Sequence, residues 1–155
     1  MDMISLDSNY EFMFEAIEEA KKASEMGEVP VGAVLTIDNK IVSRAHNSPI
    51  NDNDPSSHAE MNAIRNYSKI QSNYRIHNAT LYVTLEPCLM CYGAIIHSRI
   101  SKIVFGAYDK KSGVCGSCLD LENSICLNHK PKIIGGVLSE ECSKILKDFF
   151  KERRI

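Results

Sequence analysis

Two short pieces of this 155-residue chain carry residue types that do chemistry: His58-Ala59-Glu60 and Pro87-Cys88-Leu89-Met90-Cys91. Two thiolates one helical turn apart and an imidazole from an earlier element form a nitrogen-and-sulfur donor set that suits zinc. Three protein ligands leave a fourth tetrahedral position for water, which marks a catalytic site. Glu60 can touch that water without being a ligand, as a general acid/base must. A structural zinc site would close with four protein ligands and gain nothing from Glu60.

Spacing says which elements must hold these groups. Cys88 and Cys91 fall on one face of a helical turn, and a helix N-terminus keeps thiols deprotonated. His58 and Glu60 diverge on a regular helix, so His58 belongs at a helix entry, with Ser56 and Ser57 as candidate caps. Two helix N-termini are therefore expected to aim at one metal.

The rest of the chain supplies a sheet to carry them. Ser8 and Glu11 fit a capping box for a helix to about Met26, with Phe12, Ala16, Ile17, Ala20 and Ala23 on its apolar face. Val29 to Ile37 and Lys40 to Ala45 read as a hairpin around Asp38-Asn39, and Gly32 implies close approach by a neighbour or ligand. A polar loop from Asn47 to Ser57 leads into a helix from His58 to about Tyr67 or Ser72. Strand Ala79 to Leu85, helix Cys88 to His97 and strand Lys102 to Ala107 make a right-handed crossover that lands the metal at the strand ends. Tyr108 to Asn128 is irregular, Pro131 to Val137 reads as a fifth strand, and Ser139 starts a last helix reaching Arg154. That helix turns Ile145, Leu146, Phe149 and Phe150 to the core.

Composition narrows the class. At 44% hydrophobic and 25% charged, the chain suits one globular domain over residues 1–155. A net charge of -2 gives no global attraction to nucleic acid, so any RNA contact must be a local basic patch. Neither a secretory leader nor a membrane-spanning run is visible, so a cytoplasmic, reduced protein is expected. Its six cysteines then argue for metal and free thiols over disulfides.

The paired motif resembles that of the zinc-dependent nucleobase deaminases, whose signature is H-x-E followed by P-C-x-x-C. Wider text is similar to the bacterial tRNA-specific adenosine deaminases: Val29-Pro30-Val31-Gly32-Ala33-Val34, His46-Asn47-Ser48-Pro49-Ile50, Asp54-Pro55, Ala79 to Glu86 and Ile96-His97-Ser98-Arg99-Ile100. That resemblance implies a three-layer α/β/α cytidine-deaminase-like fold with a central five-stranded mixed sheet. It implies one zinc per chain and no organic cofactor, a homodimer, and a tRNA anticodon stem-loop as partner. The activity implied is hydrolytic conversion of adenosine to inosine at the wobble position, a reaction on the C–N bond of a cyclic amidine. The alternative is a deaminase of a free guanine- or cytosine-type base, which would share the zinc core. A zinc-dependent RNA-binding module without activity would not need Glu60.

Substrate residues are less tightly drawn. Asn47 can read a base edge by donating and accepting, or can simply make its own Asx turn. The resemblance implies that it contacts the target nucleoside, that the loop at Asp109 borders RNA, and that Asn128-His129 approaches substrate. Near the C-terminus, Lys151, Arg153 and Arg154 favour the helix dipole with no ligand, while the resemblance implies an anticodon contact and Phe149 could stack a base. The candidate substrate-binding residues are Asn47, Pro49, Leu85, Asp109, Asn128, His129 and Phe149. Lys110-Lys111 beside Asp109 could flank a phosphate-bearing substrate, but a lysine pair in a loop is more often simply solvated. Cys115-Gly116-Ser117-Cys118, with Cys126 and His129, has the spacing of a second closed zinc site, but incidental thiols are the preferred reading.

Overall fold

The structure is a computed structural model that describes residues 3–123 and 127–153, with side chains from Ser8 onward. Helix α1 (Met3–Glu25) leads into strands β1 (Gly32–Ile37) and β2 (Lys40–His46). A one-turn helix α2 (Pro49–Asp52), helix α3 (Ala59–Gln71), strand β3 (Ala79–Leu85) and helix α4 (Leu89–His97) follow. Strands β4 (Lys102–Ala107) and β5 (Lys132–Ile134) and helix α5 (Ser139–Arg153) complete the order. The sheet runs β2-β1-β3-β4-β5, with β1 antiparallel to both neighbours and the β3–β4 and β4–β5 pairs parallel. This is the mixed five-stranded sheet expected.

Strand alternation builds the three layers. Odd-numbered Ala33, Leu35, Leu81, Val83, Ile103 and Phe105 join one core with α3 and α4 residues such as Ala63, Ile64, Tyr92 and Ile95. Even-numbered Val34, Tyr82 and Val104 join the other with Phe12, Met13, Ala16 and Ile17 of α1 and Cys142 of α5. Gly32 is where α1 comes closest: a Cβ there would collide with the Ala16 carbonyl and the Ala20 nitrogen. The neighbour foreseen at this glycine is thus a helix backbone. The Asp38-Asn39 turn has both residues at positive φ, 52° and 59°, as a tight hairpin of right-handed strands requires.

Several boundaries differ from the sequence reading. Ser8 lies inside α1, so it caps nothing; the helix simply continues upstream through residues without a breaker. Strand β1 starts at Gly32, because the Val31 N–H turns back to the Val29 carbonyl at 2.9 Å instead of joining the ladder, while the Asn47 N–H donates to the Val31 carbonyl at 3.0 Å. The loop after β2 contains α2, started by Pro49, whose fixed φ suits a first helical position. Strand β5 is shorter than expected, since Gly135 and Gly136 already leave the ladder.

Candidate active site

The sheet brings every part of the site to one end. Because β1 runs opposite to β3, its start lies beside the β3 C-terminus, and the pairing Gly32 with His46 brings the end of β2 there too. The pairing Leu85 with Ala107 brings the end of β4. Helices α3 and α4 then begin at this edge.

His58 is the N-cap residue of α3 and Cys88 that of α4, both with extended backbone and neither making a side-chain cap bond. The two helix starts foreseen from spacing are therefore real, but Ser56 and Ser57 are not the caps. Ser56 is occupied one turn earlier, its backbone N–H and hydroxyl both donating to Asp54 Oδ1 at 2.8 and 2.7 Å. That leaves the side chains of His58 and Cys88 free of the capping role and turned to each other.

The donor atoms converge. His58 Nδ1 lies 3.6 Å from Cys88 Sγ and 3.5 Å from Cys91 Sγ, and the three ligand atoms sit within 4.8 Å of one another. Bonds of about 2.3 Å to sulfur and about 2.0 Å to nitrogen at a tetrahedral angle place N and S about 3.5 Å apart, so zinc fits without rearrangement. Charge points the same way. A hydrogen bond from the Cys91 thiol, against an opposing push from burial, brings Cys88 down to about 4. The same bond, with burial, holds Cys91 far above the usual thiol range. Its bond to Cys88 and the nearby Glu60 raise His58 against burial. Among the described residues, His58, Cys88 and Cys91 are the one such convergence.

Glu60, in the first turn of α3, is 4% exposed and faces the cluster. Burial pushes its carboxyl up to about 7, with its own backbone N–H opposing and the Cys88 thiolate adding. A group poised near neutrality can take and return a proton, which suits the acid/base role.

Above the cluster opens a cavity of about 220 Å³. Its floor is His58, Glu60 and Cys88; Val29, Val31 and Leu85 give apolar sides, and Asn47, Glu86, Asp109 and Ser112 give polar ones. Asn47, Leu85 and Asp109 thus line the cavity above the cluster. The other candidates lie elsewhere. Pro49 begins α2, its carbonyl accepting from the Asp54 N–H at 3.0 Å. His129 bonds the Ile100 carbonyl through Nε2 at 2.6 Å, and Asn128 lines a separate groove with Leu89, Tyr92 and Leu127. Phe149 is 5% exposed, edge-on to Phe150, with the Arg153 guanidinium 3.7 Å over its ring. Phe150, expected in the core, is 46% exposed. Cys115 and Cys118 are free thiols, and Cys126 and Arg154 lie outside the described residues.

Residues 6–107 match the family of the cytidine and deoxycytidylate deaminase zinc-binding region. The tRNA-specific adenosine deaminase of Bacillus subtilis (strain 168) is 49% identical over 143 residues, covering 92% of this chain and 89% of that one. Its counterpart in Haemophilus influenzae is 48% identical over 157 residues, covering 99% and 91%. This chain belongs to the tRNA-specific adenosine deaminases. A solved structure from studies of A-to-I editing by tRNA:A34 deaminases at the wobble position superposes with a TM-score of 0.82 at 39% identity, covering 88% of this chain and 99% of that one. The guanine deaminase of Nitrosomonas europaea, at 16% identity and a TM-score of 0.75, shares the fold. As a member of this zinc-binding family with a matching His/Cys/Cys cluster, the chain carries one zinc site.

In this family member, three residues that hold the site were not seen in sequence. Glu28, 1% exposed, accepts from the Ile50 and Asn51 backbone N–H groups at 3.2 and 2.8 Å and from Asn51 Nδ2 at 2.6 Å. Asn62 of α3 donates through Nδ2 to the His46 carbonyl at 3.0 Å and to Ser48 Oγ at 3.1 Å, tying both sides of Asn47. Glu86 receives the loop after β4. No local pattern marks these residues, because their partners are distant in the chain.

Proposed function

We propose that this protein hydrolytically deaminates adenosine to inosine at the wobble position of a tRNA anticodon. The carrying observation is Glu60: a buried carboxyl beside a three-donor metal cluster, on the floor of an open cavity. Family membership supports adenosine in tRNA as the substrate.

His58, Cys88 and Cys91 hold the zinc, which when bound supplies Lewis acidity that lowers the pKa of water toward neutrality. Glu60 takes the proton that water gives up as its oxygen attacks C6 of the purine, and delivers that proton to N1. Glu60 then assists proton transfer to the departing amine, so that water and adenosine become inosine and ammonia. Val29, Val31 and Leu85 give the base an apolar slot, and Asn47 reads its edge. An unpaired anticodon nucleotide can be turned out into such a slot more cheaply than a base in a duplex.

The partner is an anticodon stem-loop, and the working form is a homodimer acting in the cytoplasm on tRNA. Leu89 and Met90, adjacent on α4 and 62% and 37% exposed, give an apolar surface that a second copy would cover. No helix among the described residues is long and apolar enough to cross a membrane.

A substrate panel tests the reading. Zinc-loaded protein should form inosine on a stem-loop bearing the wobble adenosine and turn over free adenosine, cytidine and guanine negligibly. Turnover confined to a free base would keep the chemistry and remove the tRNA.

A further inference from the structure

Glu86 sits between β3 and the metal-binding turn, 2% exposed, with its carboxylate turned to the loop that follows β4. Oε1 accepts from the Asp109 N–H at 3.1 Å and from the Ser117 hydroxyl. Oε2 accepts from the Cys115 N–H at 2.9 Å and the Ser117 N–H at 3.2 Å. The backbone of one loop is wrapped around a single carboxyl group. A further tie, from the Val114 N–H to the Pro87 carbonyl at 3.0 Å, runs to the neighbouring residue.

The loop also carries backbone bonds of its own, from the Gly113 N–H to the Asp109 carbonyl at 2.8 Å and from the Cys118 and Leu119 N–H groups to the Gly113 carbonyl at 2.9 and 3.1 Å, but little burial. Val114 is its buried apolar anchor, while Lys110, Lys111, Gly116, Cys118 and Leu119 are exposed. Its path is therefore decided by hydrogen bonds more than by burial. Gly113 records how tight the wrap is, since a Cβ there would strike the Glu86 carboxylate and the Asp109 carbonyl. The Asp109 carboxylate is itself spent on the next turn: Oδ1 accepts from the Lys111 and Ser112 N–H groups at 3.0 and 3.2 Å, and Oδ2 from the Ser112 hydroxyl at 3.0 Å. Asp109 and Ser112 are the loop residues that wall the cavity.

We propose that Glu86 is a positioning residue that sets the 109–117 wall of the substrate cavity, and so governs how well the stem-loop is held, while taking no part in proton transfer. Donors on both oxygens make it a fixed acceptor, unlike Glu60 across the cavity. Loss of an acceptor there leaves buried N–H groups unpaired and lets the wall move, and small displacements of positioning groups are costly to a bound substrate.

This inference rests on the function proposed above. In zinc-loaded protein, Glu86→Gln turns an amide NH2 toward the loop's own donors. The expected result is retained zinc, faster amide exchange in 109–117 with β3 and α4 unchanged, and a KM for the stem-loop raised about tenfold with kcat within about threefold. Unchanged exchange, faster exchange at an unaltered KM, or a fall in kcat at wild-type KM would each overturn it. Should Glu86→Gln fail to fold or to hold zinc, Ser117→Ala removes one donor without touching the metal-binding turn. It should raise KM about threefold, and a wild-type KM there would overturn the assignment. If the wild type makes no inosine on the stem-loop, the functional reading falls, and the exchange in 109–117 still decides whether Glu86 holds the wall.

Discussion

The floor and the walls of the cavity are built on different principles. The floor, His58, Glu60, Cys88 and Cys91, comes from two helix starts, each with its chemical groups within a single turn of chain. Its geometry follows from local backbone conformation. The walls, Asn47 with the segment that follows it and the loop from Asp109 to Ser117, make local turns of their own but are also tied to buried carboxylates far away in sequence. Glu28 reaches across 23 residues to Asn51, and Glu86 across 31 to Ser117. Such a division lets reaction chemistry stay fixed while the walls set what is admitted, because perturbing a wall leaves the metal donors in place.

Perturbations should separate the two regions. Largest is loss of the floor: Cys88→Ala should abolish zinc stoichiometry and reduce turnover to background, and chelation of the wild type should do the same reversibly. Retained zinc in Cys88→Ala would show that the ligand set is wrong. Next is a wall contact: Asn47→Ala should raise KM for the stem-loop about tenfold to a hundredfold with zinc content unchanged and kcat much less affected. An equal fall in kcat would move Asn47 from wall to chemistry.

Smallest is a wall support read through stability. Burial opposes ionisation of Glu28, but bonds from the backbone and side chain of Asn51 and from the Ile50 backbone outweigh it, holding its carboxyl below the ordinary 4.5. The folded state thus releases this proton more readily than the unfolded chain. Its contribution is fully present above pH 4.5 and is lost as pH falls through the folded value. Glu28→Gln should lose about 1–3 kcal/mol at neutral pH and show a flatter loss of stability below that point, read from urea melts across the range. Parallel melts of variant and wild type at every pH would remove Glu28 from the account.

What was legible in sequence follows the same line. Periodicity and turn residues located every strand and long helix, and the His/Cys/Cys/Glu floor was readable because its spacing is local. Ser8 misled because a capping pair inside a longer helix looks the same as one at its start. Ser56 misled because a serine before a helix can serve an Asx turn instead of a cap. Asn47, Leu85 and Asp109 could be placed at the cavity, whereas His129 is engaged by the distant Ile100 carbonyl and Phe149 lies against Arg153 one turn along the same helix. Glu28 and Glu86 stayed hidden because an acidic residue in sequence looks solvated until its donors arrive from elsewhere.

The most direct test of the central claim compares wild type with Glu60→Gln on a stem-loop bearing the wobble adenosine, with zinc measured in both. The account predicts one zinc per chain in each, inosine from the wild type, and a rate lower by about 10³-fold or more in the variant. Comparable inosine formation by zinc-replete Glu60→Gln would contradict it, since the proton would then be carried by some other group.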